Sequence, residues 1–302
     1  MAENIPMAQP LFVMRSIAEV EPYQNILIYG SFGAGKTYLA GTAALVPDMR
    51  DILYISLEGG EKTLKEIARI CKKYDIDSSR IMVIPVSSYK QYSYVYEFLK
   101  IHLKARDENN IDTLRKLEAQ VKNLPMDIRN DPAKLAEAIP EPLKFKTVIS
   151  DSLTEAQKYC MYQILGIDPA RQKIDAEPDS AEWKDWGSSR EMIQFLVRRY
   201  RDLPINSIFI CSRDSEQDAK KRYHYYPSLP GKLAKDVQGL VDTVGYLENI
   251  PQEGGKVVRR CYLTGGMYGT TSIAAKNRYG TKLHSLWLDN PTMKDFYALG
   301  QD

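Results

Sequence analysis

The stretch "NILIYGSFGAGKTYLAGTAAL", residues 25–45, decides the fold of this chain. It begins with an apolar run typical of a buried strand, turns through "GSFGAGKT", residues 30–37, and continues with helix-forming residues. The turn fits the pattern G-x-x-x-x-G-K-[ST] in the strand–loop–helix context that a phosphate-binding loop requires. A chance match in a chain of 302 residues has a probability on the order of one in a hundred. The sequence therefore predicts a site for a nucleoside triphosphate.

Each part of this loop has a physical role. The glycines let successive backbone N–H groups wrap a phosphate, and the following helix adds the positive end of its dipole. Lys36 is expected to reach the β- and γ-phosphates, and the Thr37 hydroxyl is expected to bind Mg²⁺. ATP and Mg²⁺ are thus the predicted cofactors. The predicted nucleotide-binding residues are Gly30, Ser31, Phe32, Gly33, Ala34, Gly35, Lys36, Thr37 and Tyr38.

A second carboxylate for the metal is expected at the end of a neighbouring buried strand. The segment "FKTVISDSLTEA", residues 145–156, supplies one, because its apolar run ends at Asp151. The alternative is that Asp151 or Ser152 caps the helix that follows, a position for which both residue types are suited.

A group that activates water is also expected at this edge of the sheet. The segment "DILYISLEGGEKTLKEI", residues 51–67, places Glu58 directly after a strand and before two glycines. Glu61 is the neighbouring alternative, and an ordinary surface turn is another. A further strand, "NSIFICSRDSEQ", ends in Ser212 and Arg213, which either sense the γ-phosphate or are ordinary loop residues.

The composition excludes several classes of protein. The formal net charge is +2, so any nucleic-acid surface has to be local. The 4 cysteines have no C-x-x-C spacing and there are 3 histidines, which argues against a zinc site or a disulfide framework. The N-terminal residues lack a signal-peptide pattern, and no apolar run reaches membrane-spanning length. A soluble, cytoplasmic protein is expected.

Four segments of the sequence resemble those of a known family: "GSFGAGKTYLA", "LYISLEGGEKTL", "TVISDS" and "AAKNRYG". They resemble the phage nucleotide-binding proteins of RecA type, which include the minimal annealing ATPases called the Sak-four group. The resemblance covers about residues 22–290 and departs at 100–145. It implies an α/β fold, a RecA-like P-loop core whose mostly parallel sheet is flanked by helices, with a β-rich C-terminal part. The host would then be bacterial.

The expected domain plan follows that resemblance. Residues 1–21 form an N-terminal arm, 22–290 the single ATPase domain and 291–302 a C-terminal tail. Within the domain, residues 100–145 are a charged insertion. The spacing of apolar residues there predicts one amphipathic helix, "IDTLRKLEAQVKNL", and then a link punctuated by proline.

The resemblance also implies residue roles. Glu58 would activate water and Asp151 would assist Mg²⁺. Members of the group assemble head to tail, with nucleotide at the subunit interface, so Lys276 and Arg278 would reach the γ-phosphate of a neighbour. These two residues are separated by one residue, which places both on one face of a strand, and a solvated charged stripe is the alternative. RecA has a glutamine where Ser212 and Arg213 stand here.

A candidate surface for single-stranded DNA lies after the strand that ends at Ser212. The segment "KKRYHYY", residues 220–226, mixes cations with aromatic rings, which can hold a backbone and stack on bases. The alternative is a solvated hairpin whose tyrosines pack on the domain. The predicted DNA-binding residues are Lys220, Lys221, Arg222, Tyr223, Tyr225 and Tyr226. A further set of aromatic residues is predicted to pack within the protein: Trp183, Trp186, Phe195, Tyr89, Tyr92, Tyr94 and Tyr96.

The sequence thus predicts an ATP- and Mg²⁺-dependent ATPase that binds single-stranded DNA and promotes annealing or recombination as a ring or filament. A single-strand-binding protein is a further expected partner, and a membrane is not. A hexameric helicase or translocase would share the same residues. Two further hypotheses are a nucleotide-gated assembly factor with little turnover and a phosphoryl-transferring kinase.

Overall fold

A computed structural model describes residues 16, 23–59, 64–168, 171, 180–280 and 285–301. The predicted N-terminal arm, apart from Ser16, and the second candidate base, Glu61, lie outside the described residues. None of the described helices combines the length and the apolar character that a membrane span requires.

The described chain alternates strands and helices, followed by a section rich in strands. Strands β1–β12 are Asn25–Gly30, Ile52–Ser56, Ile81–Pro85, Thr147–Asp151, Asn206–Gln217, Tyr223–Pro227, Thr243–Pro251, Val257–Tyr262, Gly266–Tyr268, Thr271–Ile273, Lys276–Asn277 and Trp287–Asp289. Helices α1–α10 are Lys36–Gly41, Leu64–Lys73, Tyr89–Asp107, Ile111–Val121, Met126–Arg129, Pro132–Ala138, Leu153–Ile164, Trp183–Arg201, Leu233–Leu240 and Met293–Leu299.

One sheet organises these elements, with strand order β12-β8-β7-β1-β5-β4-β2-β3. Six neighbouring strands pair in parallel, in the spatial order β7, β1, β5, β4, β2 and β3. Strand β8 pairs antiparallel with β7, and β12 pairs antiparallel with β8. Strand β1 therefore lies inside the sheet, with β5 and then β4 on one side and β7 and then β8 on the other. The loops after the parallel strands all meet at one edge, as the sequence requires for a ligand site.

Two apolar layers cover the faces of the sheet, and β1 shows why. All six residues of β1 are buried, and its side chains alternate between the layers. Leu27 and Tyr29 belong to one core cluster, and Ile26 and Ile28 to the other. Burying one such side chain contributes about 1.5–3 kcal/mol, so the strand that leads into the phosphate loop is firmly fixed. The predicted fold class is confirmed as an α/β fold in which a mostly parallel sheet is flanked by helices and the C-terminal part is rich in strands.

The insertion at 100–145 is more helical than predicted. The structure has α4 at the expected place, but the expected proline link contains α5 and α6. The prolines begin these helices, since Pro125 is the N-cap of α5 and Pro132 is in the first turn of α6, where the missing N–H costs nothing. Ala119, Leu135 and Ile139 form a small core of their own.

The expectation that the aromatic residues of α8 anchor the core is wrong. Trp183 is 93% exposed, and Trp186 and Phe195 are also exposed. The reason is the helical register, because the buried face of α8 is occupied by another set: Ser189, Ile193, Leu196, Val197 and Tyr200. In α3, Tyr89 and Tyr92 are buried as predicted, whereas Tyr94 is exposed.

Candidate nucleotide-binding site

The phosphate loop connects β1 to α1 in a conformation that glycine alone adopts readily. Gly33 and Gly35 have φ of 74° and 89°, in the left-handed region. Gly30 is constrained by space, because a Cβ there would lie 2.2 Å from the Leu247 carbonyl oxygen on β7. Each of the three glycines in the loop therefore meets a backbone requirement: a left-handed φ at Gly33 and Gly35, and lack of space for a side chain at Gly30.

Lys36 is the cation at the centre of the loop. Its Nζ donates hydrogen bonds to the carbonyl oxygens of Gly30 and Ser31, each at 2.9 Å. Burial lowers the pKa of Lys36, and the nearby carboxylates of Asp151 and Glu58 oppose that shift. The ammonium group thus binds the loop carbonyls near the predicted metal ligand Asp151 and the predicted base Glu58, and phosphate oxygens can replace its carbonyl acceptors.

Thr37 and Asp151 form the oxygen pair that the sequence predicts for a metal ion. The Thr37 hydroxyl donates to Asp151 Oδ2 at 2.6 Å. The buried Tyr54 hydroxyl, on β2, donates to the same oxygen. A hydroxyl and a carboxylate are hard oxygen ligands of the kind that Mg²⁺ takes beside phosphate and water, so these residues fit the ion. No cluster of three or more His, Cys, Asp or Glu that could hold a metal occurs among the described residues.

The helix cap after β4 is Ser152. Its side chain accepts a hydrogen bond from the Glu155 backbone N–H at 3.3 Å. Asp151 is therefore left to Thr37 and Tyr54, and its role at the metal stays a prediction.

Glu58 lies at the same edge of the sheet. Its side chain is exposed, and its Oε1 accepts a hydrogen bond from the Ser152 hydroxyl. Ser152 comes directly after Asp151, so the two predicted carboxylates are positioned by one strand end. The structure thus brings together Lys36, Thr37, Asp151 and Glu58, while the role of each remains a prediction.

Ser212 and Arg213 belong to β5, the strand that separates β1 from β4. Ser212 pairs with Gly30 in register, and its N–H donates to Thr154 Oγ1 at 3.0 Å. The Arg213 guanidinium lies 4.2 Å from the centre of the Tyr225 ring and donates to the Tyr246 hydroxyl at 3.3 Å. Arg213 is thus held by aromatic residues, and a role as phosphate sensor stays a prediction.

Lys276 and Arg278 lie at the other end of the sheet. In register, Lys276 pairs with Val244 at the start of β7, which in turn pairs with Leu27 near the start of β1. Leu27 lies three residues before Gly30, where the phosphate loop begins, so this end is about 10 Å from the loop along the strand. The two cations therefore do not join the Lys36 site within one chain.

Each of these cations has a partner of its own. Lys276 Nζ donates to the Gln238 carbonyl oxygen in the last turn of α9 at 2.6 Å. Burial lowers the pKa of Lys276, with a further contribution from Arg278. Arg278 pairs with Asp242 at 3.0 Å, and its side chain is 57% exposed. Action on a neighbouring chain stays a prediction.

The predicted DNA-binding segment forms the tip and second strand of the β5–β6 hairpin. Lys220, Lys221 and Tyr223 are exposed. Arg222 is committed to Asp218, with an N···O distance of 2.7 Å, and its hydrogen bonds lower the pKa of Asp218. The two remaining aromatic residues, Tyr225 and Tyr226, are partly buried against the core. Only the first part of the segment is therefore free to meet a ligand.

Two residues at the loop were not predicted from the sequence. Asn249 Nδ2, at the far end of β7, donates to the Gly33 carbonyl oxygen at 3.2 Å. Arg259, on β8, lies against Gly35 and stacks on Tyr38 with its Cζ 4.7 Å from the ring centre. They come from a hairpin more than 200 residues away from the loop, and no local motif marks them.

Known proteins resemble this chain in sequence family and in structure. Residues 23–279 match the family model AAA_24, described as an AAA domain. No curated protein matches the chain. The crystal structure of the RadB recombinase is similar with 16% identity and a TM-score of 0.38, covering 79% of each chain. That of the flagellar accessory protein FlaH from Methanocaldococcus jannaschii has 14% identity and a TM-score of 0.40, covering 89% of this chain and 85% of that chain.

The family match includes every strand from β1 to β11 and every residue of the loop 30–37. The chain belongs to the AAA_24 family of AAA domains.

Proposed function

We propose that this protein is a Mg²⁺-dependent ATPase. One observation carries the proposal: a phosphate loop, an oxygen pair suited to Mg²⁺ and an exposed carboxylate meet at one edge of the sheet. The Thr37–Asp151 contact of 2.6 Å and the Ser152–Glu58 hydrogen bond link them. This is the set of groups that phosphoryl transfer to water requires.

The residues divide the work by position. Lys36 and the loop N–H groups would hold the β- and γ-phosphates, and Thr37 and Asp151 would hold the Mg²⁺, which would neutralise phosphate charge. Glu58 accepts a proton from the attacking water, and the Ser152 hydroxyl orients its carboxylate. The roles of Lys36, Thr37 and Asp151 do not depend on which molecule accepts the phosphoryl group, whereas that of Glu58 does.

The proposed assembly is head to tail, as a ring or filament. Lys276 and Arg278 lie at the sheet end opposite the phosphate loop. In this arrangement the loop end of one copy meets the opposite end of the next copy. Lys276 and Arg278 of that next copy then complete the nucleotide site of the first copy. A cation supplied from a neighbour stabilises the charge of the transition state and makes hydrolysis depend on assembly.

Single-stranded DNA is the proposed nucleic-acid ligand. The tip of the β5–β6 hairpin exposes two adjacent lysines and a tyrosine. A separate cleft is lined by Trp183, Trp186 and Lys232. Cations that track a phosphate backbone and rings that stack on bases together favour single strands over duplex. Following the resemblance to the phage RecA-type proteins, we propose that the protein promotes strand annealing during recombination in the bacterial cytoplasm.

The wild-type protein provides the test of this proposal. Phosphate release from ATP should require Mg²⁺, should rise with protein concentration faster than linearly as the oligomer forms, and should increase when single-stranded DNA is added. Turnover that appears only with a phosphate acceptor would contradict hydrolysis in favour of a kinase. ATP-driven separation of a duplex would contradict annealing in favour of a helicase.

Replacing both tip lysines, as Lys220→Gln with Lys221→Asn, should weaken single-stranded DNA binding. Asparagine suits position 221, because Lys221 has φ of 60°. Each lost phosphate contact should reduce the slope of log affinity against log salt by about 0.7, hence about 1.4 for the pair. Fluorescence anisotropy of a labelled oligonucleotide across salt concentrations measures this slope.

A matched control exists at the end of α2, where Lys72 and Lys73 are also exposed and stand beside the exposed Tyr74. Replacing those two lysines by Gln removes the same charge and should leave the slope unchanged. An equal decrease in both double variants would show that only net charge matters, and would contradict a specific role for the hairpin tip.

A further inference from the structure

Strand β8 delivers one side chain directly to the phosphate loop. A Cβ on Gly35 would lie 2.6 Å from Arg259 Nε, 2.7 Å from Cζ and 2.8 Å from Nη2. The guanidinium group thus packs directly against Gly35, and its Cζ is 4.7 Å from the centre of the Tyr38 ring. The same chain that would bind the phosphates supplies this cation.

Arg259 lacks the partners that its neighbour has. Its Nε is buried without a hydrogen-bond acceptor, and no ion pair to its side chain occurs among the described residues. The next residue, Arg260, is bound to Asp289 through two hydrogen bonds of 2.7 and 2.9 Å and stacks on Trp287. A guanidinium without acceptors at a ligand loop is unfavourable, because a buried donor loses its water without replacement. An incoming ligand can compensate for that loss.

The strand order tells which part of the nucleotide reaches Arg259. Glu58 and Asp151 lie at the ends of β2 and β4, on one side of β1, so the γ-phosphate and its metal lie toward that side. Strands β7 and β8 lie on the other side of β1. A triphosphate with its γ end at Glu58 therefore directs its nucleoside end toward β8, where Tyr38 and Arg259 lie.

We propose that Arg259 and Tyr38 form the subsite for the nucleoside, and that the Arg259 guanidinium stacks on the base of the bound nucleotide. This inference rests on the proposed function, since it concerns the same nucleotide. Asn249 supports the subsite by holding the Gly33 carbonyl oxygen from the adjacent strand. A planar guanidinium matches the flat face of a base, and a lysine ammonium does not.

The test compares two ligands that share phosphates and differ in the nucleoside. Calorimetry measures the binding of ATP and of inorganic tripolyphosphate, each with Mg²⁺, to the full chain. Arg259→Ala should weaken ATP binding about tenfold, as expected for loss of one stacked base, and change tripolyphosphate binding by less than about twofold. Arg259→Lys should show the same pattern, because it keeps the charge and loses the plane.

Arg260→Ala is the matched control, since it removes an adjacent arginine with its own aromatic contact. It should leave the affinity for both ligands unchanged. Equal weakening of ATP and tripolyphosphate by Arg259→Ala, or full ATP affinity in Arg259→Lys, would overturn the nucleoside assignment in favour of a phosphate contact. If the wild-type chain binds neither ligand, the proposed function itself fails and the subsite with it. Thermal unfolding reports whether each variant folds, and Arg259→Lys carries the test if Arg259→Ala does not.

Discussion

Glu58→Gln should lower the rate of ATP hydrolysis by about 10²–10⁴-fold, the contribution of a positioned general base. The amide keeps the size of the side chain and can still interact with the Ser152 hydroxyl, but it cannot accept the proton of the attacking water. Affinity for Mg²⁺·ATP should stay within about threefold, because the phosphate contacts come from Lys36 and the loop. Steady-state phosphate release and equilibrium ATP binding, measured on the same preparation, separate the two effects.

Glu155→Gln is the matched control for that variant. Glu155 lies in the first turn of the helix that follows Asp151 and pairs with Lys158 at 2.9 Å. Its amide variant should hydrolyse ATP at the wild-type rate. Normal turnover in Glu58→Gln would contradict its role as a base and would favour either another residue or an assembly factor whose slow hydrolysis has no dedicated base.

The double variant Lys276→Ala with Arg278→Ala should bind ATP normally and lose turnover by about 10³–10⁵-fold, the effect of removing a trans-acting cation. Both residues lie at the end of the sheet opposite their own phosphate loop, so the loss has to arise at a neighbour's site. Sedimentation distinguishes loss of assembly from loss of chemistry within an intact assembly.

Mixing two inactive proteins gives the sharper measurement. The double variant retains Glu58, and Glu58→Gln retains both cations, so an interface with the loop of the first and the cations of the second is complete. Phosphate release should reappear on mixing and depend on the ratio of the two proteins. No recovery in mixed oligomers would contradict action in trans.

Lys134→Ala serves as the control for charge removal. Lys134 pairs with Asp127 at 3.6 Å in the α4–α6 insertion, and its side chain is half exposed, like that of Arg278. Its loss should change neither turnover nor assembly. If the double variant behaves like Lys134→Ala, the two cations only stabilise their own chain, through the last turn of α9 and through Asp242.

Local sequence patterns were sufficient to predict the parts of the site whose conformation depends on residues adjacent in the chain. The loop 30–37, the strand end at Asp151 and the turn after Glu58 each combine a strand pattern with residues that suit one turn, so their place at one edge was predictable. Proline was misinterpreted in the insertion, because Pro125 and Pro132 begin helices there instead of ending them.

Contacts between distant segments were not predictable in this way. Tyr54 bonds to Asp151 because parallel pairing places β2 next to β4, and Arg259 reaches Gly35 because the β7–β8 hairpin folds beside β1. In both cases the strand is recognisable from its sequence but the identity of its neighbour is not. The exposure of Trp183 depended on which face of α8 meets the sheet, which hydrophobicity alone did not decide.

Strand β7 runs from the proposed interface cations to the phosphate loop. Asp242, just before it, holds Arg278 and the start of β1, while Asn249 holds the Gly33 carbonyl at the phosphate loop. In between, the Leu247 carbonyl fills the space where a side chain on Gly30 would lie. A strand bonded on both sides does not stretch, so it acts as a rigid rod about 24 Å long. In the proposed assembly, tension applied at the subunit boundary would therefore reach the nucleotide without any hinge.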